Sequence, residues 1–230
     1  MGPSGAGKTT LLNLAAGLIA PESGAISPGS GELEAGNNGV PKGANVKNKA
    51  GRFPLSYMFQ EPRLIAEKTV LQNLMLALSA EPREKGVKRS EVKRGAELRA
   101  RKYLAAVGLA GKENLYPREL SGGMAQRVSL SRAFLVQSEI LLMDEPFKGL
   151  NYGLKKRSRE LFLSLLRESG KTVLFVTHDA DEAYLTADRI YLFEGKAPHG
   201  GLTEVKIEKA REKRKLSDAC LVKLKEELLV

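Results

Sequence analysis

The sequence predicts an α/β fold with a mostly parallel sheet, flanked by helices and interrupted by an all-helical insertion. A glycine-rich stretch over residues 1–10 leads directly into a helical pattern. Two apolar runs, at 139–144 and 171–177, end in polar residues, which is typical of strands buried on both faces. Between residues 69 and 135 the apolar positions follow a helical spacing, which indicates a helical block inserted between strands.

The composition favours a globular chain with an anionic partner. Its 230 residues, 42% of them hydrophobic, are enough for a substantial core. No run of about 18 apolar residues and no leader pattern occur, so we expect neither a transmembrane helix nor a signal peptide. A single cysteine, Cys220, excludes an internal disulfide framework and fits a reducing compartment. The net charge of +10 suits a nucleotide, a nucleic acid or an anionic membrane surface.

The first part of the chain predicts a helix, two strands and a long loop. Residues 9–17 (TTLLNLAAG) form a helical pattern that ends in glycine. We expect a short strand at 24–27 and a surface loop without periodicity over 29–51, which is rich in glycine and asparagine. The run LSYMF at 55–59 predicts a strand that ends just before a glutamine.

The second part predicts further helices and strands in alternation. Helices are expected at 69–78, at 91–109 and after Ser121, and then at 154–170 and 179–187, while strands are expected at 139–144, 171–177 and, as the last one, 189–193. In the C-terminal helix, one face carries Leu216, Cys220, Leu221, Leu224 and Leu228, and we expect that face to pack on the body of the protein.

These patterns predict one domain over residues 1–230. Its α/β core comprises 1–65 and 136–200, its helical subdomain 66–135, and its C-terminal helical tail 201–230.

The opening stretch carries a phosphate-binding motif. Gly2, Gly7, Lys8 and Thr9 complete the pattern G-x-x-x-x-G-K-[ST]. Backbone N–H groups at the start of the following helix can surround a β-phosphate, and the helix directs its positive end at the same group. The lysine adds a charge beside the β- and γ-phosphates, and the threonine hydroxyl can ligate Mg²⁺. The motif therefore predicts a nucleotide bound with magnesium.

An acidic pair follows the apolar run ILLMD. Asp144 ends this run, where a carboxylate can complete the shell of a phosphate-bound Mg²⁺. Glu145 follows directly and can act as the general base for a water that attacks the γ-phosphate. The alternative is an acidic strand-to-turn junction before Pro146, without catalytic chemistry.

Three further positions are candidates for the site. In the stretch LSGGMAQRV at 120–128, Ser121 can cap a helix whose glycine-rich start would bind an anion, although such a stretch by itself is usually only a helix cap. Gln60 and His178 follow predicted strands, and ligands of α/β sheets collect at the carboxyl ends of strands. The alternative for these two residues is a structural polar role.

The order of the motifs GPSGAGKTT, MFQEPRL, LSGGMAQRV, ILLMDEPF and VTHD resembles the nucleotide-binding subunit of an ABC transporter. The resemblance covers nearly the whole chain except 29–51 and implies a P-loop NTPase fold. It implies Glu145 as the catalytic base, His178 as the switch histidine and Gln60 as the Q-loop residue. The magnesium ligands it implies are Thr9, Gln60 and Asp144. The ATP-binding residues it implies are Gly2, Ser4, Gly5, Ala6, Gly7, Lys8, Thr9, Thr10, Ser121, Gly122, Gly123 and Gln126.

The resemblance also implies partners and a location. Two subunits of this family pair head to tail as a homodimer or with another ABC subunit, and the signature serine of each one caps the ATP of the other. ATP hydrolysis would drive solute import through transmembrane permease subunits, supplied by a solute-binding protein, at the inner face of the cell membrane in the cytoplasm. The motifs are most similar to those of importers of the nitrate, sulfonate and taurine group.

The sequence departs from the family pattern in three places. Asn151 stands where the family has an aspartate that communicates across the dimer, and Lys148 stands where a small residue is usual. Family members also carry about 30 or more residues before the phosphate-binding loop, including two strands, an adenine-stacking aromatic and the strand that leads into the loop, and all of these are absent here. We therefore expect an N-terminally truncated copy or a misassigned start, and weak ATP binding and poor folding for the chain as it stands.

Two other functions remain open from the sequence. One is a soluble ABC ATPase that acts on nucleic acid, which the net charge of +10 allows. Nucleic acid is the less favoured partner, because neither a long heptad insertion nor a zinc module is present. The other is a non-catalytic remnant, which the replaced aspartate and the expected missing strands would explain.

Overall fold

The computed structural model describes residues 1–3, 5–23, 55–79, 88–194 and 201–227. The strands in these residues are β1 (Leu55–Met58), β2 (Ile140–Asp144), β3 (Thr172–Val176), β4 (Ile190–Glu194) and β5 (Gly201–Val205). The helices are α1 (Lys8–Ala15), α2 (Val70–Leu78), α3 (Arg89–Ala106), α4 (Gly122–Leu135), α5 (Tyr152–Ser169), α6 (Ala180–Thr186) and α7 (Ala219–Glu227). Short 3₁₀ turns lie at Pro117–Glu119 and Arg211–Lys213. The predicted strand at 24–27 and the predicted loop at 29–51 lie outside the described residues.

The predicted parallel sheet is confirmed. Strand β2 lies between β1 and β3 and pairs with both in parallel. The register places Met143 of β2 opposite Met58 of β1 and Phe175 of β3, so the carboxyl ends of all three strands lie at one edge of the sheet. Strands β4 and β5 form a separate antiparallel pair. The acidic end of β2 is therefore central in the sheet, where ligands of α/β folds bind.

A group of phenylalanines joins the sheet to the helices. Phe162 of α5 is 2% exposed, and its ring lies 5.9 Å from Phe134 of α4, 6.1 Å from Phe147 and 6.4 Å from Phe175 of β3. The interplanar angles of 66–79° are edge-to-face arrangements, which aromatic rings favour. Phe147 follows the acidic end of β2 by three residues, so this core fixes the loop beside the candidate site.

The predicted helical block consists of α2, α3 and α4. Val70, Leu74, Leu104 and Val128, which come from all three helices, are 0% exposed and belong to one hydrophobic cluster. Helix α2 begins at a capping box, in which the Thr69 hydroxyl accepts a hydrogen bond at its N-terminus. This block continues the core of the sheet, because the same cluster includes residues of β1 and β2.

Three predictions for the C-terminal half are wrong. Strand β3 is not buried on both faces, since Leu174 is 40% exposed; β3 is the outer strand of the three-stranded sheet, where fewer side chains cover each face. The strand at 189–193 is not the last, because Gly201–Val205 pairs with it, and the range 201–230 is therefore not helical throughout. The helix of this range does pack on the body, with Leu221 and Leu224 buried against α6 and Cys220 partly buried beside them. Leu216, which was expected on the same face, lies before α7 and is 41% exposed.

Candidate functional site

The glycine-rich loop turns sharply into α1. Gly5 and Gly7 have φ angles of 83° and 89°, in the left-handed region where glycine carries no Cβ penalty. Helix α1 begins directly after them at Lys8. The first N–H groups of an α-helix have no partner within the helix, so this loop presents free donors at the positive end of the helix. Ser4 lies outside the described residues.

The Lys8 side chain folds back over this loop. It is 7% exposed, and its Nζ donates to the carbonyl oxygens of Gly2 at 2.8 Å and Pro3 at 2.6 Å. Burial lowers the pKa of Lys8, and the nearby carboxylates of Glu145 and Asp144 oppose this change. The ammonium therefore lies over the mouth of the loop, within the electrostatic field of the acidic pair.

The start of the loop is packed against β4. A Cβ added to Gly2 would lie 2.8 Å from the Cβ of Phe193, closer than real Cβ contacts come. The backbone N–H of Phe193 also donates to the carbonyl of Met1 at 2.8 Å. Glycine at this position is thus required by the close approach of the two backbones.

Thr9 and Asp144 meet at the centre of the site. The Thr9 hydroxyl donates to Oδ2 of Asp144 at 3.0 Å, and Asp144 is 7% exposed at the carboxyl end of β2. Within the described residues no group of three or more histidine, cysteine or acidic side chains is arranged to hold a metal ion. One hydroxyl and one carboxylate are a ligand set that fits Mg²⁺. This ion usually takes its remaining ligands from substrate phosphates and water rather than from the protein.

Glu145 is held in an unusual conformation beside this pair. Its φ of 44° is rare for a residue other than glycine, and its backbone N–H donates to the carbonyl of Val176 in β3 at 3.0 Å. Its Oε1 lies 3.0 Å from Nδ1 of His178, and its Oε2 lies 3.1 Å from Nζ of Lys148. Burial raises the pKa of Glu145, but the contacts with His178 and Lys148 outweigh burial and leave this pKa below its ordinary value.

The structure therefore joins some predicted residues and leaves others apart. Thr9, Asp144, Glu145 and His178 lie in one group, joined by two hydrogen bonds and by the peptide bond between the two acidic residues. Lys8 lies near enough for both carboxylates to oppose the lowering of its pKa, although its hydrogen bonds go to the loop. Thr10 is exposed in the first turn of α1, and Ala6 is buried in the loop. Gln60 is exposed two residues beyond the end of β1.

The start of α4 lies apart from this group. The Ser121 hydroxyl accepts a hydrogen bond from the backbone N–H of Met124 at 3.3 Å, so it caps its own helix. Gly122 is exposed and Gly123 is half-buried. Gln126 is buried, and its Nε2 donates to the carbonyl of Pro146. Among the described residues no contact links this helix start to the Lys8 loop of the same chain.

Comparison with known proteins identifies the family. A family model described as "ABC transporter" matches residues 1–148. The aliphatic sulfonates import ATP-binding protein SsuB 1 of Rhodococcus jostii (strain RHA1) is 37% identical over 230 residues, which are 100% of this chain and 79% of that protein. The chain belongs to the ABC transporter family.

Other relatives of this ABC transporter chain are longer than it is. SsuB 3 of the same organism is 39% identical over 84% of this chain and 59% of its own length. The sulfate/thiosulfate import ATP-binding protein CysA 2 of Rhizobium meliloti (strain 1021) is 37% identical over 83% of this chain and 47% of its own length. The chain thus spans about half to four fifths of these relatives.

Solved structures agree with this assignment to the ABC transporter family. The ATP-binding cassette MJ0796, determined as a dimer in a post-hydrolysis state with ADP and Pi, matches with a TM-score of 0.62 and 31% identity over 84% of this chain and 78% of that chain. A putative metal-chelate type ABC transporter in an inward-facing conformation matches with a TM-score of 0.65 at 20% identity, over 89% of this chain and 70% of that one, which supports the fold alone. None of the helices that the structure describes has the length and hydropathy needed to cross a bilayer.

Sequence reasoning missed an ion-pair network below His178 in this ABC transporter chain. Nζ of Lys155 lies 2.7 Å from Oδ2 of Asp179 and 2.9 Å from Oε1 of Glu182, and the Thr177 hydroxyl donates to Oε2 of Glu182 at 2.7 Å. Asp179 also caps α6. The sequence signal was an acidic residue next to the candidate histidine, just before a helix. The network fixes the chain on both sides of His178.

Proposed function

We propose that this chain is an ATP-binding import subunit that hydrolyses ATP to drive solute movement through separate membrane subunits. The observation that carries this proposal is the meeting of Thr9, Asp144, Glu145 and His178 at the N-terminus of α1. The printed names of the relatives, which import sulfonates or sulfate and thiosulfate, support the direction of transport. The solute itself is selected by partner subunits.

The triphosphate would bind over the glycine-rich loop. The N–H groups of the first turn of α1, from Lys8 to Thr10, would face the phosphates, and the helix dipole favours their charge. Lys8 has to exchange its carbonyl partners, Gly2 and Pro3, for phosphate oxygens. This exchange is favourable because a phosphate–ammonium hydrogen bond joins two charged groups, whereas a carbonyl is neutral.

Magnesium would be held by Thr9 and Asp144, with Gln60 as a further oxygen ligand from the end of β1. When bound, the ion neutralises charge on the β- and γ-phosphates. The hydrogen bond between Thr9 and Asp144 already places a hydroxyl and a carboxylate oxygen 3.0 Å apart. The protein therefore needs little rearrangement to present both ligands, which favours binding.

Hydrolysis would use Glu145 as the general base for the attacking water. Its side chain is 12% exposed, and the contacts with His178 and Lys148 favour the ionised form that a general base needs. His178 contacts the same carboxylate and is 54% exposed, so it can reach a γ-phosphate from the solvent side of the site. The ion-pair network of Lys155 holds the backbone around His178 in place.

The start of α4 would act on the nucleotide of a second copy. Ser121, Gly122 and Gly123 form a capped helix start with no contact to the Lys8 loop of its own chain, among the residues described. A head-to-tail dimer brings this anion-binding start to the partner's ATP, in keeping with the dimeric state of a solved relative. The helical subdomain would contact the permease at the inner face of the membrane, where a solute-binding protein supplies the substrate.

Mixed dimers test the proposal. One copy carries Ser121→Ala and the other Lys8→Met, and the two are purified together with separate affinity tags. In a head-to-tail dimer both substitutions fall in the same ATP site, and the second site keeps its own Lys8 and its partner's Ser121. About half of the ATPase activity, measured as ADP released per dimer, should therefore remain. Loss of activity at both sites would contradict the claim that each ATP site is formed by Lys8 of one copy and Ser121 of the other. Glu145→Gln in both copies is the control for hydrolysis and should abolish ADP release while ATP still binds.

A further inference from the structure

The two oxygens of the candidate base have different neighbours among the described residues: Oε1 is hydrogen-bonded, whereas Oε2 is buried beside an ammonium without a hydrogen bond. Oε1 of Glu145 lies 3.0 Å from the His178 ring and Oε2 lies 3.1 Å from the Lys148 ammonium. A general base must accept a proton from water, which requires a free lone pair directed at that water. An ionised carboxylate has about four lone-pair sites, so a site for the water remains, but the ammonium beside Oε2 competes with the water for that oxygen.

The lysine contact is built into the loop after β2. The backbone N–H of Lys148 donates to the carbonyl of Glu145 at 3.1 Å, which closes a tight turn. Phe147 is 2% exposed and anchors this turn in the phenylalanine core, and Gly149 follows with a φ of 76°. The turn brings the lysine back over Glu145, so the ion pair follows from the fold of the loop.

The two partners of this ion pair differ in exposure. The Glu145 side chain is 12% exposed, and that of Lys148 is 46% exposed. The carboxylate has few positions available to it, whereas the lysine can swing into solvent when a competing charge arrives. The contact can thus open by movement of the lysine alone, and the backbone of Glu145, with its unusual φ of 44°, does not have to change.

Lys8 supplies a second positive charge nearby. Lys148 lies close enough to lower the pKa of Lys8, whereas Glu145 and Asp144 raise it. Lys8 is the lysine buried in the phosphate loop, where its ammonium contacts the carbonyls of Gly2 and Pro3. The ammonium of Lys148 instead lies on the carboxylate of Glu145.

We propose that Lys148 is a positioning residue that restrains the Glu145 carboxylate, so that the ion pair between them slows hydrolysis until it opens. The inference rests on the proposed function, because it assumes that Glu145 is the general base of ATP hydrolysis and that Lys148 slows this step. Removal of the ammonium takes the positive charge away from Oε2 without changing the phosphate loop, Thr9 or Asp144. The turnover number should rise, while the affinity for ATP stays the same.

Two substitutions of Lys148 in the full chain test whether the ion pair slows hydrolysis. Lys148→Met keeps the length of the side chain and removes its charge, whereas Lys148→Arg keeps the charge and is the matched control. We expect Lys148→Met to raise kcat about three- to tenfold, with KM for ATP within about twofold of the unchanged chain. Lys148→Arg should stay within about twofold in both constants. An unchanged or lower kcat in Lys148→Met, or a raised KM, would overturn the inference.

A second measurement does not depend on turnover. Acetic anhydride labels free amines, and mass spectrometry of peptides reports how fast Lys148 is labelled in the nucleotide-free protein. The ion pair predicts faster labelling of Lys148 in Glu145→Gln, with no change at the exposed Lys156, and equal rates at Lys148 would overturn it. If the unchanged chain and Lys148→Met both bind ATP without hydrolysing it, the proposed function fails, and this labelling ratio alone then decides whether the restraint exists.

Discussion

Replacement of Phe162 by alanine should remove much of the stability of this domain. The side chain is 2% exposed and contacts three other phenylalanine rings at 5.9–6.4 Å. A buried phenylalanine truncated to alanine costs about 3–5 kcal/mol, because both the apolar transfer and the cavity contribute. With three edge-to-face pairs lost, we expect a value near the upper end, about 4–5 kcal/mol. That is a large fraction of the total stability of about 5–15 kcal/mol of a typical domain.

Urea unfolding followed by circular dichroism measures this loss, since the chain has no tryptophan to report by fluorescence. Phe162→Leu is the matched control, because it keeps most of the apolar volume and should cost only about 1–1.5 kcal/mol. The slope of the free energy of unfolding against urea should be the same in both variants. A loss below about 2 kcal/mol for Phe162→Ala would refute the view that this core joins the sheet to the helices.

Three further predictions concern single contacts. Gly2→Ala should destabilise the chain by about 1–3 kcal/mol, because its Cβ would lie 2.8 Å from that of Phe193, and a melting temperature equal to that of the unchanged chain would exclude this clash. Thr69→Ala removes half of the capping box with Gln72 and should cost about 1 kcal/mol in urea unfolding, whereas Thr69→Ser should cost little. Asp218 has its pKa lowered to about 2 by a lysine hydrogen bond and a backbone N–H, so its stabilisation is complete above its unfolded pKa and is lost as the pH falls towards 2. The difference in stability between the unchanged chain and Asp218→Asn should shrink over that range, and a difference independent of pH would contradict the cause.

Helix starts were predictable because their signals are local. Thr69 and Ser121 each precede an apolar helical pattern, and both act as N-caps through their hydroxyl groups. Strand β2 was equally clear, because an apolar run that ends in acid describes its burial and its end at once. The family motifs then gave the order of the site residues along the chain.

Pairing of strands was less accessible from the sequence. The apolar run of β3 predicts burial on both faces, but Leu174 is exposed because no strand on the outer side pairs with β3 among the described residues. Strand β5 has little apolar character, and its place beside β4 is seen only in the backbone pairing, which sets Ile190 opposite Val205 and Glu194 opposite Gly201. Such contacts are set by tertiary structure, which a local pattern does not record.

The electrostatic details of the site also required coordinates. The sequence places Glu145 and Lys148 three residues apart, but only the turn between them brings the ammonium to 3.1 Å from the carboxylate. In the same way, Gln126 was expected at the nucleotide, whereas the structure buries it against the carbonyl of Pro146. Its assignment as a nucleotide contact stays a prediction.

Equilibrium binding of ATP in the presence of magnesium tests the central claim most directly. Isothermal titration would compare the unchanged chain with Lys8→Met, which keeps the side-chain length and removes the ammonium that covers the loop. A charge-assisted hydrogen bond contributes about 1.5–3 kcal/mol, so the account predicts affinity weaker by about ten- to a hundredfold. Equal affinity of the two proteins for ATP would contradict the claim that the triphosphate binds at this loop.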